Sequence, residues 1–453
     1  MPLSDTDTDS PALAAAKKSR AHKNKTLIKI GAAVITVSAV LAGLTAFFLT
    51  RGGKESLAVQ GRSRESLIMS DKIEHVEEVK SVAKSNDQFS KSFYDLLRKE
   101  EGNLIMSPFS VSGVMAMVSA GARGNTLDQI MSGLSFPAPG TLQLGYKDTI
   151  PALRSTQNFT LEAANTVFAM KDFSVLPEYQ ELLHNSFHAS IQNVDFGDSE
   201  LAARMINNWV GKMTMDKIKH LIKADMLNAL TRLVLVNAIY FKGDWEAKFD
   251  QKLTKDQDFS VSPSDTVTVK MMMQERKFQW AYLDSLSSSM VELPYKGNRI
   301  VMQILLPAER HALAEVEEKL KKNNVQELFE KESYQTKVNI QLPKFKLEKT
   351  IPLTAHLNSL GLKDMFSDGL ADFSGIDGTK QLFVSEVVQK AFIEVNEEGS
   401  EAAAATGVVM MMRSMPAPPE QFIADHPFIF FIRDKTTGML LFQGRVANPS
   451  QEH

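Results

Sequence analysis

Near the C-terminus, Glu397-Glu398-Gly399-Ser400-Glu401 runs into four alanines, Ala402 to Ala405, then Thr406, Gly407 and a stretch ending at Arg413-Ser414. Alanine, glycine and small hydroxyl residues cost little to desolvate and fit tight packing sites, so a sheet could take such a strip in. Composition alone reads it as a low-complexity surface loop. The residue types that perform catalysis are present but not arranged for it. No Gly-x-Ser-x-Gly elbow, phosphate-binding loop, dinucleotide fingerprint or His-Glu-x-x-His pair occurs. His184 and His188 stand at helical spacing and read as surface or core histidines. Glu397 and Glu398 are adjacent, so on an extended chain they point to opposite sides, which reads as a solvated charge run rather than a paired-carboxylate site. Met410-Met411-Met412 reads as apolar filler or a recognition surface, not a soft-metal site. Neither an enzyme, a cofactor nor a metal site is expected.

The bulk numbers bound the rest. With 453 residues, 43% of them hydrophobic, the chain can bury a large core, and its length alone suggests two or three domains. A net charge of −3, with no long basic run beyond the N-terminus, argues against nucleic acid. There is no cysteine, which removes disulfides and thiol catalysis but does not fix the compartment.

Residues 1–29 are polar and read as a disordered cytosolic tail. Residues 30–50 carry no charge and have the length of a membrane span, about 20 residues. Lys17, Lys18, Arg20, Lys23, Lys25 and Lys29 precede them, whereas Arg51 and Lys54 follow closely. The positive-inside rule then predicts a single-pass type II signal-anchor with the body outside the cell or in a lumen. A cleaved signal peptide, and so a secreted protein, is the alternative, with Ala42 and Gly43 offering small residues for cleavage. Residues 51–72 form a charged stalk. On the predicted outer side Asn158-Phe159-Thr160 is a glycosylation sequon, making Asn158 the candidate acceptor.

From about Ile73 to Pro449 the pattern is globular. Helical spacing appears at Phe89, Phe93, Leu96 and Leu97, and again from Val111 to Val118 behind a Ser107-Pro108 start. Strand-like runs lie at 233–241, 267–273, 300–306, 338–342 and 382–388, and 428–432 with 439–442 reads as a hairpin. Helices dominate the first half and strands the second, which predicts an α+β fold.

A series of motifs now occurs in order over about 375 residues: Asn103-Leu104-Ile105-Met106-Ser107-Pro108-Phe109-Ser110, Gly121 to Thr126, Asn165 with Phe168, and Ile206-Asn207 with Trp209-Val210. It continues with Val236-Asn237-Ala238-Ile239-Tyr240-Phe241-Lys242-Gly243-Asp244-Trp245, Leu342-Pro343-Lys344-Phe345, Leu360-Gly361, Asp425-His426-Pro427-Phe428 and Gly444-Arg445-Val446. In these blocks the chain closely resembles the serpin family of serine protease inhibitors. The resemblance implies one domain over 73–449, three β-sheets, eight or nine helices, and an exposed reactive centre loop at about 397–421. It makes Glu397, Glu398 and Gly399 the hinge, starts the insertable segment at Ser400, and puts the scissile bond at Arg413-Ser414, with 17 residues counted from Glu397 to Arg413 inclusive. Ser107, Ser110 and Asn237 match a polar latch beneath the opening sheet. Its usual histidine is Gln389 here, an amide that does not titrate near neutral pH. Trp245 is expected near the root of the loop.

The insertable strand can be checked from its residues. Ser400, Ala402, Ala404, Thr406, Val408 and Met410 would face one side of a strand and carry no charge; the other side has one, Glu401. The implied mechanism is suicide trapping of a trypsin-like serine protease as a covalent complex, by a monomer. A non-inhibitory carrier or chaperone is the alternative, as is an inhibitor of papain-like cysteine proteases. A register slip would put the cleaved bond after Met412 or Ser414, with chymotrypsin- or elastase-like specificity. Between Pro137 and Arg154 the basic residues are Lys147 and Arg154, too sparse for a glycosaminoglycan helix. Met410 in place of Arg leaves the Arg-x-x-Arg pattern of furin-like proteases unmet.

Overall fold

The computed structural model describes residues 73–153, 159–398 and 418–451. The tail, the 30–50 segment and the stalk, Asn158, and Gly399, Ser400, Glu401, Ala402 to Ala405, Thr406, Arg413 and Ser414 all lie outside the described residues.

The helices are α1 (Val76–Leu97), α2 (Pro108–Gly121), α3 (Gly124–Gly133), α4 (Pro139–Ala152), α5 (Pro177–Phe187), α6 (Ser199–Met213), α7 (Leu313–Leu320), α8 (Val325–Glu332), α9 (Thr354–Ser359) and α10 (Ser374–Asp377). The strands are β1 (Leu104–Met106), β2 (Phe159–Met170), β3 (Ile191–Val194), β4 (Leu233–Gly243), β5 (Lys255–Ser262), β6 (Asp265–Leu283), β7 (Ser288–Pro294), β8 (Ile300–Pro307), β9 (Tyr334–Pro343), β10 (Phe345–Pro352), β11 (Val384–Val395), β12 (Glu420–Ile423), β13 (Phe428–Asp434) and β14 (Leu440–Val446). The architecture is α+β, as the residue pattern implies.

α1 is amphipathic: Val79, Val82, Phe89, Phe93 and Leu97 are buried at helical spacing, and Glu77 and Glu78 complement the positive end of its dipole. α2 is different. Pro108 opens it, the Ser107 side chain caps it by accepting from the backbone of Ser110, and nearly every residue is buried, the signature of a core helix. It packs so closely that a Cβ on Gly121 would lie 2.3 Å from Ile376 Cγ1.

Two hydrogen-bonded sheets result among the described residues. A five-stranded sheet runs β10-β11-β4-β2-β3. A nine-stranded one runs β1-β14-β13-β8-β7-β6-β9-β12, with β5 paired to β6. The three sheets implied by the resemblance thus appear as two ladders. The reason is β6, 19 residues long, which pairs with β5 through its first part, with β9 through its middle and with β7 at its end, joining two sheets into one path. Among the described residues there are ten helices rather than eight or nine, because turns as short as α9 and α10 are helical. The main core lies between the sheets and α2, with Phe241, Phe345, Phe428, Phe430 and Phe442 at or near zero exposure.

Among the described residues no helix is long and apolar enough to cross a membrane.

Candidate functional site

The site is built on one pair of strands. β4 and β11 lie side by side and parallel, in register from Val234 opposite Glu386 to Phe241 opposite Ile393, with a bulge just after Val384. Their outer neighbours, β2 on β4 and β10 on β11, are antiparallel. A parallel pair in the middle of a mixed sheet has room in its topology for one strand of opposite direction. The chain that leaves the end of β11 at Val395 would run that way if it turned back.

That exit is anchored. The Glu397 side chain is only 6% exposed, and its carboxylate receives Lys344 Nζ at 2.7 Å and Thr254 Oγ1 at 2.8 Å. Burial pushes its carboxyl upward, but the hydrogen bonds from Lys344 and Thr254 prevail and leave it below the usual carboxylate range. Glu398 points to solvent, and its backbone N–H donates to Asn396 Oδ1 at 2.9 Å. The reading of Glu397-Glu398 as a solvated charge run therefore holds for Glu398 alone. Adjacent strand residues do face opposite ways, and the side that takes Glu397 is interior.

Trp245 sits beside them. Its ring stacks on Tyr295 with centroids 4.4 Å apart and planes 10° from parallel, and Nε1 donates to the Asn396 carbonyl at 2.9 Å. The side chain thus ties the residue before the hinge to the hairpin region carrying Tyr295.

Lower in the same pair lies a polar cluster. Gln389 and Asn237 are register partners across the β11–β4 ladder, and Asn165 is opposite Asn237 across β2–β4. Gln389 Nε2 donates to Asn237 Oδ1 at 2.7 Å and to the Ser107 carbonyl at 2.9 Å, while its Oε1 accepts from the Ser107 N–H at 3.1 Å. Asn237 Nδ2 donates to Ser110 Oγ and to Asn165 Oδ1, and Ser110 Oγ donates to Asn165 Oδ1 at 2.8 Å. Ser107 Oγ closes the set on the Leu441 carbonyl. Ser107, Ser110, Asn237 and Gln389 have no exposed surface, and buried polar groups of this kind are costly to leave unpaired. The cluster therefore pins the start of α2 to both strands of the pair.

Asn165, Lys344, Thr254 and Tyr295 also belong to the site, and residue pattern does not mark their roles. Asn165 and Lys344 stand inside motif blocks, so a signal existed without a direction. Thr254 precedes β5 in an unremarkable polar run and offers none. His184 and His188 do not join the site. Both are exposed on α5 or its cap, and His188 is in the left-handed conformation that ends the helix.

The Serpin (serine protease inhibitor) family model matches residues 84–449. The chain is 40% identical over 380 residues to the leukocyte elastase inhibitor of Bos taurus and 38% to that of Equus caballus, covering 82% of this chain and all of each relative. Among solved structures it resembles Serpin48, a highly specific serpin of the insect Tenebrio molitor, with a TM-score of 0.72 and 36% identity over 81% of this chain and 97% of that one.

The type II membrane placement expected from residues 30–50, its secreted alternative, and the membrane as a partner do not stand. An apolar run of about 20 residues meets the length that a span requires, and length does not decide location. Among the described residues no helix could cross a bilayer, and relatives matched over their entire length by 82% of this chain have no counterpart left for such a segment. The fold, the family match and the full-length relatives agree: this chain belongs to the serpin family and is a serpin-type protease inhibitor, a partner of serine proteases and not itself an enzyme.

Proposed function

We propose that the protein traps trypsin-like serine proteases with Arg413 as bait. The parallel β4–β11 pair carries this reading, because it flanks the one place where a strand folding back from Glu397 would find antiparallel partners on both sides. The inhibitory unit is residues 73–449. Gly399 and the hinge turn, and the strip from Ser400 through Glu401, Ala402, Ala403, Ala404, Ala405 and Thr406 supplies the inserting strand. Ser107, Ser110, Asn237 and Gln389 form the latch that insertion must part, and Trp245 secures the hinge above it.

The Arg413 guanidinium enters a specificity pocket that holds a carboxylate. The protease serine attacks the Arg413 carbonyl, the Arg413–Ser414 bond breaks, and the serine's proton passes to the departing Ser414 amine. Fourteen residues from Ser400 to Arg413, at roughly 3.3 Å each, then carry the acyl-enzyme about 45 Å as the strand inserts. A distorted active site cannot deacylate.

The names of the relatives support a second reading. They inhibit leukocyte elastase, and cleavage after Met412 would present an apolar bait to an enzyme of that type. Incubating the protein separately with trypsin and neutrophil elastase and resolving the products on SDS gels distinguishes the two. An SDS-stable trypsin complex releasing a fragment that begins at Ser414 supports Arg413. A stable complex with elastase alone, its fragment beginning at Arg413, replaces it with Met412. Cleavage by both without a complex removes the trapping claim.

A further inference from the structure

A cleft of about 440 Å³ opens between α2, α4, β2 and the end of α5. Its walls are apolar: Phe109, Tyr146, Ile150, Leu161 and Phe187 line it, and the Tyr146 ring packs against both Phe109 and Phe187. His188 and Met213 are exposed and mark its mouth, and Glu162 is the carboxylate on its lining. Asn165, the member of the polar cluster contributed by β2, lines it too.

The amide of Asn165 is satisfied at one end. Its Oδ1 accepts from Ser110 Oγ at 2.8 Å and from Asn237 Nδ2 at 2.7 Å, and two donors converging on one atom identify that atom as the oxygen. Nδ2 is then a donor, and it meets no acceptor among the described residues. α2 leaves it uncovered. Gly113 stands in mid-helix, where glycine is unfavourable, and a Cβ there would lie 3.5 Å from Asn165 Nδ2 and 3.8 Å from Tyr146 Cε1. Apolar walls with one free donor are the pattern of a small-molecule site.

We propose that this cleft binds a neutral, mainly hydrocarbon molecule whose single carbonyl oxygen accepts from Asn165 Nδ2. A cavity of about 150 Å³ holds benzene, so the present volume suits a body of about two or three rings. An ion buried against these walls would go unpaired, which is costly, and an anion would also face Glu162. The ligand holds Nδ2 as Ser110 and Asn237 hold Oδ1, so its binding stiffens the cluster that pins α2 to β4. The inference rests on the cleft and the cluster, not on which residue is the bait.

The test titrates the full chain with Prodan, a neutral naphthyl ketone whose emission shifts to the blue away from water, and with its analogue in which a methylene replaces the carbonyl. One saturable, blue-shifted site is expected, with the ketone bound about three- to tenfold tighter than the analogue, the worth of one buried hydrogen bond. Asn165→Asp keeps the oxygen that Ser110 and Asn237 donate to and removes the donor, so the preference for the ketone should vanish. Ala163→Trp fills the cleft, which Ala163 lines, and should abolish the blue shift. Should a variant not fold, isotope-labelled methionine methyls of the wild type locate the probe: Met117 and Met213 line the cleft and their signals should move, while that of Met302 on β8 stays. Equal affinity for ketone and analogue overturns the proposal. So does a blue shift that survives Ala163→Trp, or a probe that leaves Met117 and Met213 unmoved.

Discussion

Lys344 Nζ lies 2.7 Å from Glu397 Oε2 at the point where β11 gives way to the hinge, so the carboxylate that begins the loop is fixed by a lysine from the turn between β9 and β10. The carboxylate is nearly buried and the lysine is not, which makes their contributions unequal. Removing Lys344 would leave a buried charge with Thr254 as its remaining side-chain partner. Lys344→Ala should cost about 1–2 kcal/mol, limited by the solvent already around the lysine. Differential scanning calorimetry would show the lowered Tm. The sign of its pH dependence follows from the depressed carboxyl of Glu397. Its stabilisation is present above the unfolded carboxylate value, about 4.3, and is lost as pH falls through the lower folded value. The gap between wild type and Glu397→Gln should therefore be full at pH 7 and shrink toward pH 3.

The amide of Gln389 serves three bonds at once, two to the backbone of Ser107 and one to Asn237. Gln389→Leu keeps the volume and orphans all three partners in a site without water access. The penalty for a buried unpaired group is about 1–3 kcal/mol, so the urea midpoint should fall by an amount equivalent to at least 2 kcal/mol. Gln389→His restores a donor and an acceptor only while the ring is neutral. Its stability should drop as pH falls from 8 to 5, a slope the wild-type amide does not produce on its own.

Part of this fold is legible in the residues alone. The Ser107-Pro108 helix start is a local pattern, and local patterns survive in a one-dimensional string. The runs at 233–241 and 300–306 became β4 and β8 almost residue for residue. What stayed hidden depends on register. Nothing near Asn165 says that it will stand opposite Asn237, and nothing near Thr254 says that a glutamate 143 residues away will seek its hydroxyl. β2 is likewise not legible in its residues, because Glu162-Ala163-Ala164-Asn165 interrupts its apolar alternation and reads as well for a helix.

Gly121 ends α2 against α10. A methyl there would meet Ile376 Cγ1 at 2.3 Å and Tyr179 Cε2 at 3.1 Å, inside a core with no slack. Gly121→Ala should destabilise by about 1–3 kcal/mol despite its better helix propensity. A Tm above that of wild type would mean that the helix end shifts freely.

Trp245→Phe separates stacking from hydrogen bonding. The phenyl ring can still lie on Tyr295, but the Asn396 carbonyl loses its donor. A loss of about 1 kcal/mol is expected in equilibrium unfolding. Because Asn396 precedes Glu397, amide exchange at 396–398 should rise more than exchange in the middle of β11.

The final prediction separates bait from spring. Ala404 lies on the same side of the proposed inserting strand as Ser400, Ala402 and Thr406. Ala404→Arg leaves Arg413 and its distance from the hinge untouched, so a trypsin-like protease should dock and acylate as before. Insertion would then bring a guanidinium between β4 and β11, where Val236, Ala238, Val388 and Phe392 are all buried. An unpaired charge there costs several kcal/mol. That slows insertion and gives water time to reach the acyl-enzyme. The variant should be cleaved at Arg413–Ser414 at the wild-type rate, yet form little SDS-stable complex. Rapid-quench sampling with fragment mass determination measures both quantities in one experiment. An undiminished complex yield would mean that the strip does not enter the β4–β11 pair.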